Sequence, residues 1–171
     1  MMKKNILIAA FASITIVFNA CKNDPEDTVG IDKEMYDLSK TTTGFTWYKL
    51  SSAFLNKSSG TGHSEALIRT RYNATAAGVL DSTGKVQNGA VFPQGSLVVK
   101  ELHESASKFN RYAIMLKRAG AAEADASNWV WGYINADGSV AEPAKNKGAS
   151  CRGCHSQEGH IDLTLMNKYF E

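Results

Sequence analysis

The chain opens on an apolar run and then changes period. Residues 6–18 are apolar almost throughout, whereas beyond residue 40 short segments alternate apolar and polar side chains. Such alternation marks strands with one buried face. It predicts strands at 45–50, 66–72, 97–102, 112–117 and 129–135, each carrying aromatic or β-branched residues. Between them lie a loop at 56–62 and turns at Asp81-Ser82-Thr83-Gly84, Asn88-Gly89, Pro93-Gln94-Gly95 and Ala136-Asp137-Gly138-Ser139. Helical signals are short. They predict an opening helix over 32–39, a helix over 74–80 capped by Asn73, and an amphipathic stretch on Ile161, Leu165 and Tyr169. Short strands at regular spacing, without long helices between them, predict an α+β domain, mainly antiparallel sheet with short helices.

The apolar run at the start has a different meaning. Lys3 and Lys4 precede it, and Asn19-Ala20-Cys21 follow it. A charged start, a short greasy middle and a small residue before the cut describe a secretory signal over 1–20. The run's length of 13 residues falls short of the roughly 20 needed to cross a bilayer. Phe18-Asn19-Ala20-Cys21 reads as a loose lipobox, with Cys21 as the lipidated residue. The acidic stretch 22–27 then begins a tether and short helix over 21–40, ahead of a domain at 41–171. The expected location is the bacterial cell envelope, lipid-anchored to a membrane and facing either the periplasm or the cell exterior.

Removing the signal changes the charge. The full chain of 171 residues has 19 Lys+Arg against 17 Asp+Glu; without Lys3 and Lys4 the two counts are equal. That balance gives no basic surface for nucleic acid. With 43% hydrophobic and 21% charged residues, the composition also excludes collagen, low-complexity disorder and a disulfide-dense miniprotein.

Cys151-Arg152-Gly153-Cys154-His155 carries the chemistry. C-x-x-C-H is the attachment signature of c-type haem. Thiols three positions apart each reach one vinyl group of a single macrocycle, and the next residue brings an imidazole to the iron. Export suits this reading, because such attachment takes place outside the cytoplasm. A redox dithiol, a strained disulfide, or a zinc site on Cys151, Cys154, His155 and His160 are the rivals; structural zinc prefers a second, separated ligand pair. Met166 and Met115 both sit in apolar surroundings that suit packing better than ligation, so no sixth iron ligand stands out. An open iron suits small-ligand chemistry better than simple electron carriage.

The segments 66–72 and 92–102 (with F-x-x-G-x-x-x-x-K-E-L), then Asn128-Trp129, then the C-terminal haem motif resemble the cytochrome P-460 family over about 47–170. The resemblance implies a mainly antiparallel β fold, a homodimer, and a five-coordinate haem ligated by His155. In the family's hydroxylamine oxidisers a lysine is also bonded to a haem meso carbon; the matching residue is Lys100, and the matching distal-pocket arginine is Arg69. Relatives called cytochrome c-prime-beta lack the cross-link and bind nitric oxide or carbon monoxide. An acidic proton relay is also expected, and Glu142 is in the neighbourhood without a secure register.

Residue by residue, both sharp and bland readings stand. Val98, Lys100 and Leu102 share a strand face, so Lys100 either snorkels at an edge or is desolvated into a nucleophilic amine. Arg69 either meets an anionic group or is a solvated strand residue. Trp129, Trp131 and Tyr133 form one aromatic face. His63, His103 and His160 are expected at the surface. Three functions follow: a haem enzyme acting on hydroxylamine or nitric oxide, a gas-binding haem protein, and an electron-transfer cytochrome using Met166 with a redox partner protein.

Overall fold

A computed structural model describes residues 30–171; the expected signal peptide, Cys21 and the acidic tether lie outside the described residues. Helix α1 (Gly30–Ser39) leads into strands β1 (Thr46–Trp47), β2 (Leu55–Asn56) and β3 (Leu67–Tyr72), and a single helical turn α2 (Ala74–Ala77) follows. Then come β4 (Leu97–Ser105), β5 (Lys108–Lys117), β6 (Trp129–Asn135) and β7 (Val140–Glu142), and the one-turn helices α3 (Arg152–His155) and α4 (Met166–Tyr169). The seven strands form one antiparallel sheet in the order β1-β3-β4-β5-β6-β7, with β2 also paired to β3. The architecture is α+β and mostly sheet, as the alternation predicts.

Period-two alternation gives the sheet two different faces. On one, Ile68, Tyr72, Val98, Leu102, Met115, Trp129 and Trp131 pack with Leu163, Met166 and Phe170 of the C-terminal segment. On the other, Leu97, Val99, Ile114, Leu116, Val130 and Ile134 are covered by Met35 of α1. Gly132 permits that cover: a Cβ there would stand 2.8 Å from the Met35 side-chain terminus. Asp32 ties the same helix to the C-terminal half by accepting the Ala144 N–H at 2.9 Å.

Several elements differ from the sequence expectation. The strand expected over 45–50 stops at Trp47, because Lys49 and Leu50 take positive φ (both 54°) and the chain enters a 3₁₀ turn. The amphipathic helix expected through Ile161, Leu165 and Tyr169 is a single turn at Met166–Tyr169, preceded by a tight Ile161–Thr164 bridge. The helix after Asn73 is also short, although its cap is present, with Asn73 Oδ1 accepting the Ala76 N–H at 2.9 Å. Strand β7 is too short to show a period and escapes sequence reading.

Candidate functional site

One cavity opens between the first sheet face and the C-terminal segment. Its walls come from alternate strand residues: Val98 and Lys100 of β4, Arg111, Ala113 and Met115 of β5, Trp131 and Tyr133 of β6. The C-x-x-C-H segment closes the other side. Its helical turn places Cys151 and Cys154 three positions apart on one cavity margin, both as free thiols. Gly148, at φ +67°, brings the motif against Trp131; a Cβ there would lie 2.5 Å from the indole.

His155 is held from two sides. Its Nδ1 bonds the Leu163 carbonyl at 2.6 Å, and its ring meets Trp131 edge-on at 4.9 Å between centroids. Trp131 is itself anchored, donating Nε1–H to Asp125 at 2.9 Å. With Nδ1 donating to the carbonyl, Nε2 is the unprotonated nitrogen, which is the tautomer a metal requires. Burial lowers the His155 pKa to about 4, so the ring stays neutral.

Lys100 points into the cavity. Burial lowers its pKa to about 8, and its polar contact is a neutral ring, His63 Nε2, at 3.2 Å. His63 in turn bonds the Tyr133 hydroxyl through Nδ1 at 2.5 Å. Burial, with Lys100 next, drives the His63 pKa far below its ordinary value. This corrects the expectation that His63 is exposed: the glycine-rich loop at 60–63 folds over the cavity, with Gly62 against Cys154. His103 is also buried, against Phe54 and Phe109 on the opposite face. His160 alone of the three is exposed.

The arginine reading changes as well. Arg69 is not among the cavity residues: β3 pairs Thr70 with Lys100 and Arg69 with Glu101, so Arg69 faces the other way. There it bonds Glu101 at 2.5 Å and stacks over Trp47 and Phe54. The arginine at the cavity is Arg111, paired with Glu65 at 2.9 Å. Glu142 does reach the cavity wall, opposite Tyr133 in the sheet. Met166 and Met115 line the cavity as core residues, and the Met166 sulfur accepts a bond from Thr70 Oγ1 at 3.2 Å. No group of three or more His, Cys, Asp or Glu is arranged for a metal ion among the described residues, which leaves the zinc reading without support.

A cavity between a sheet and a two-thiol turn, with Nε2 of the neutral His155 ring unprotonated, has the donor set that a haem would use. Fold and site together define a β-sheet haem protein. The cytochrome P460 family model matches residues 46–165, and the chain belongs to that family. No curated protein and no solved structure matches the chain significantly.

Proposed function

We propose that the protein carries one c-type haem, thioether-linked to Cys151 and Cys154 with His155 as axial ligand, and that it binds and oxidises hydroxylamine or a related small nitrogen species. The observation that carries this reading is the convergence of Cys151, Cys154, His155 and Lys100 on one cavity. The haem, when bound, supplies an iron that coordinates a small ligand and passes electrons on. The chain's own residues do the rest. His155 would hold the iron through Nε2, its tautomer fixed by the Leu163 carbonyl. Val98, Ala113 and Met115 give the cavity an apolar wall.

Lys100 and its partner His63 are the polar pair of the cavity. A lysine with a pKa of about 8 holds a small neutral fraction at pH 7, the form in which an amine is nucleophilic. Neutral His63 offers Nε2 as a hydrogen-bond acceptor to Lys100, and Tyr133 holds the ring from Nδ1. Neither arginine contacts Lys100: Arg69 serves the opposite face, and Arg111 is neutralised by Glu65. Two further parts of the reading concern the cell. Cys21 attaches the domain to a membrane in the envelope, and a redox partner protein takes up the electrons.

Mass spectrometry and ferrous absorption of the purified protein test the proposal together. The expected protein is coloured, keeps its haem through denaturation, and has its haem reduced on mixing with hydroxylamine. Cys151→Ala with Cys154→Ala should release the haem. A third covalent bond, lost in Lys100→Met along with a red-shifted ferrous Soret band, would place Lys100 on the ring. Haem that binds nitric oxide but is never reduced by hydroxylamine would leave a gas-binding protein instead. A colourless product from a host competent in cytochrome maturation would overturn the reading.

A further inference from the structure

Residues 161–164 form a loop whose backbone is costly. Asp162 (φ 43°) and Leu163 (φ 65°) are consecutive non-glycine residues in the left-handed region. Such a residue is disfavoured and persists only when its surroundings over-determine it.

The surroundings here are specific. Lys117, buried on β5, donates to both Asp162 carboxylate oxygens at 3.0 and 2.8 Å. The Phe92 amide donates to Oδ2 at 2.9 Å. Trp129 Nε1–H donates to the Asp162 carbonyl at 3.1 Å and to Oδ1 at 3.3 Å. From the exposed side, His160 Nδ1 accepts the Leu163 N–H at 3.1 Å. The loop meets the cavity histidine through the Leu163 carbonyl, which accepts from His155 Nδ1 at 2.6 Å.

We propose that Asp162 is the positioning residue for the axial histidine: gripped by Lys117, Phe92 and Trp129, it holds residues 162–163 in the left-handed turn that presents the Leu163 carbonyl to His155. This rests on the haem reading of His155. The clamp acts through that carbonyl. It fixes the ring's rotation and its tautomer, and it adds electron density to the imidazole through the Nδ1–H bond. The sheet, through Lys117 and Trp129, thereby sets the strength of an iron ligand carried by a segment outside the sheet.

The test uses two variants of the whole haem-loaded protein. Asp162→Asn keeps a residue that tolerates positive φ but removes the charge that Lys117 grips. Lys117→Met removes the grip from the other side. Both should lower the iron–histidine stretching frequency of the ferrous protein in resonance Raman spectra and raise the haem reduction potential. Both should also speed solvent exchange of the His155 Nδ1 proton, followed by NMR of the diamagnetic ferrous carbon monoxide form. A purely structural residue would lower the melting temperature and leave all three signals at wild-type values, and that result overturns the clamp. If Asp162→Asn does not fold, Lys117→Met decides alone. Wild-type protein without haem would show in its absorption spectrum and would count against the haem reading. The Nδ1 proton exchange, recorded on that haem-free protein, would still decide whether Asp162 orders His155.

Discussion

Replacing Glu101 with Gln tests how the sheet divides its work. Glu101 is 5% exposed and joins Arg69, Arg71 and His103 on the face opposite the cavity. Arg71 is fully buried, donates to Glu101 and to the Ser39 carbonyl, and lies against the Phe45, Trp47 and Tyr112 rings. Gln has nearly the same shape, so Glu101→Gln removes charge without opening a cavity. What remains is a buried guanidinium without its counter-ion, and breaking such a pair costs about 3–5 kcal/mol. Since an amide still accepts one bond, the low end applies, about 3 kcal/mol. At roughly 2–4 °C per kcal/mol for a domain of this size, the melting temperature should fall by about 6–12 °C.

The pH dependence follows from the direction of the Glu101 pKa. Burial raises it, but Arg71 and then Arg69 outweigh that and hold it below the ordinary value. The carboxylate therefore contributes its full stability above the unfolded-state pKa, and that contribution fades as pH falls through the folded-state value. Urea denaturation of wild type and variant at several pH values should show a gap that is widest near neutrality and closes in acid. The haem absorption should be unchanged, because the cluster lies across the sheet from the cavity. A loss below about 1 kcal/mol, or a shifted spectrum, would refute the reasoning.

Three other substitutions probe the site and its supports. Gly148→Ala forces a Cβ against Trp131 at a positive φ; a loss of about 2 kcal/mol or more and poorer covalent haem yield, by denaturation and mass spectrometry, are expected. Asn73→Ala removes an oxygen that caps α2 and also accepts the Leu97 N–H at 3.0 Å; urea denaturation should show a loss of about 1 kcal/mol. In the haem-free protein, where Lys100 is a free amine, Lys100→Met should raise stability at pH 7. The folded Lys100 pKa of about 8 lies below its ordinary value, so the unfolded chain holds the extra proton between the two and wild-type stability rises with pH across that window. The variant's advantage should shrink over the same window, read by denaturation at pH 7 to 10.

Strands were legible because alternation is a local signal. Leu67–Tyr72 and Trp129–Asn135 lie within a residue of where the pattern puts them. The C-x-x-C-H segment was legible because it is a contiguous pattern of fixed spacing. Registers and long-range contacts were not. Arg69 and Thr70 are adjacent, and only the pairing of β3 with β4 decides which of them shares a face with Lys100. His63 sits in a glycine-rich loop whose composition says surface, and its partner Tyr133 is 70 residues away. The 161–164 turn had no sequence signal, because neither Asp162 nor Leu163 is a glycine and the groups that hold them come from residues 92, 117 and 129.

The two inward lysines of the sheet are held in different ways. Lys117 is buried and fully paired with the Asp162 carboxylate, an arrangement that fixes a loop. Lys100, on the neighbouring strand, has no carboxylate partner among the described residues; its polar neighbour is the neutral ring of His63. Stability alone gives no reason to place an amine there, since an apolar side chain would fill the position without a desolvation cost. The sheet solves the same problem conventionally at Lys117 and leaves it unsolved at Lys100, beside the two thiols and His155. An amine kept partly neutral at that one place is a chemical feature, and it argues that Lys100 was positioned for the occupant of the cavity rather than for the fold.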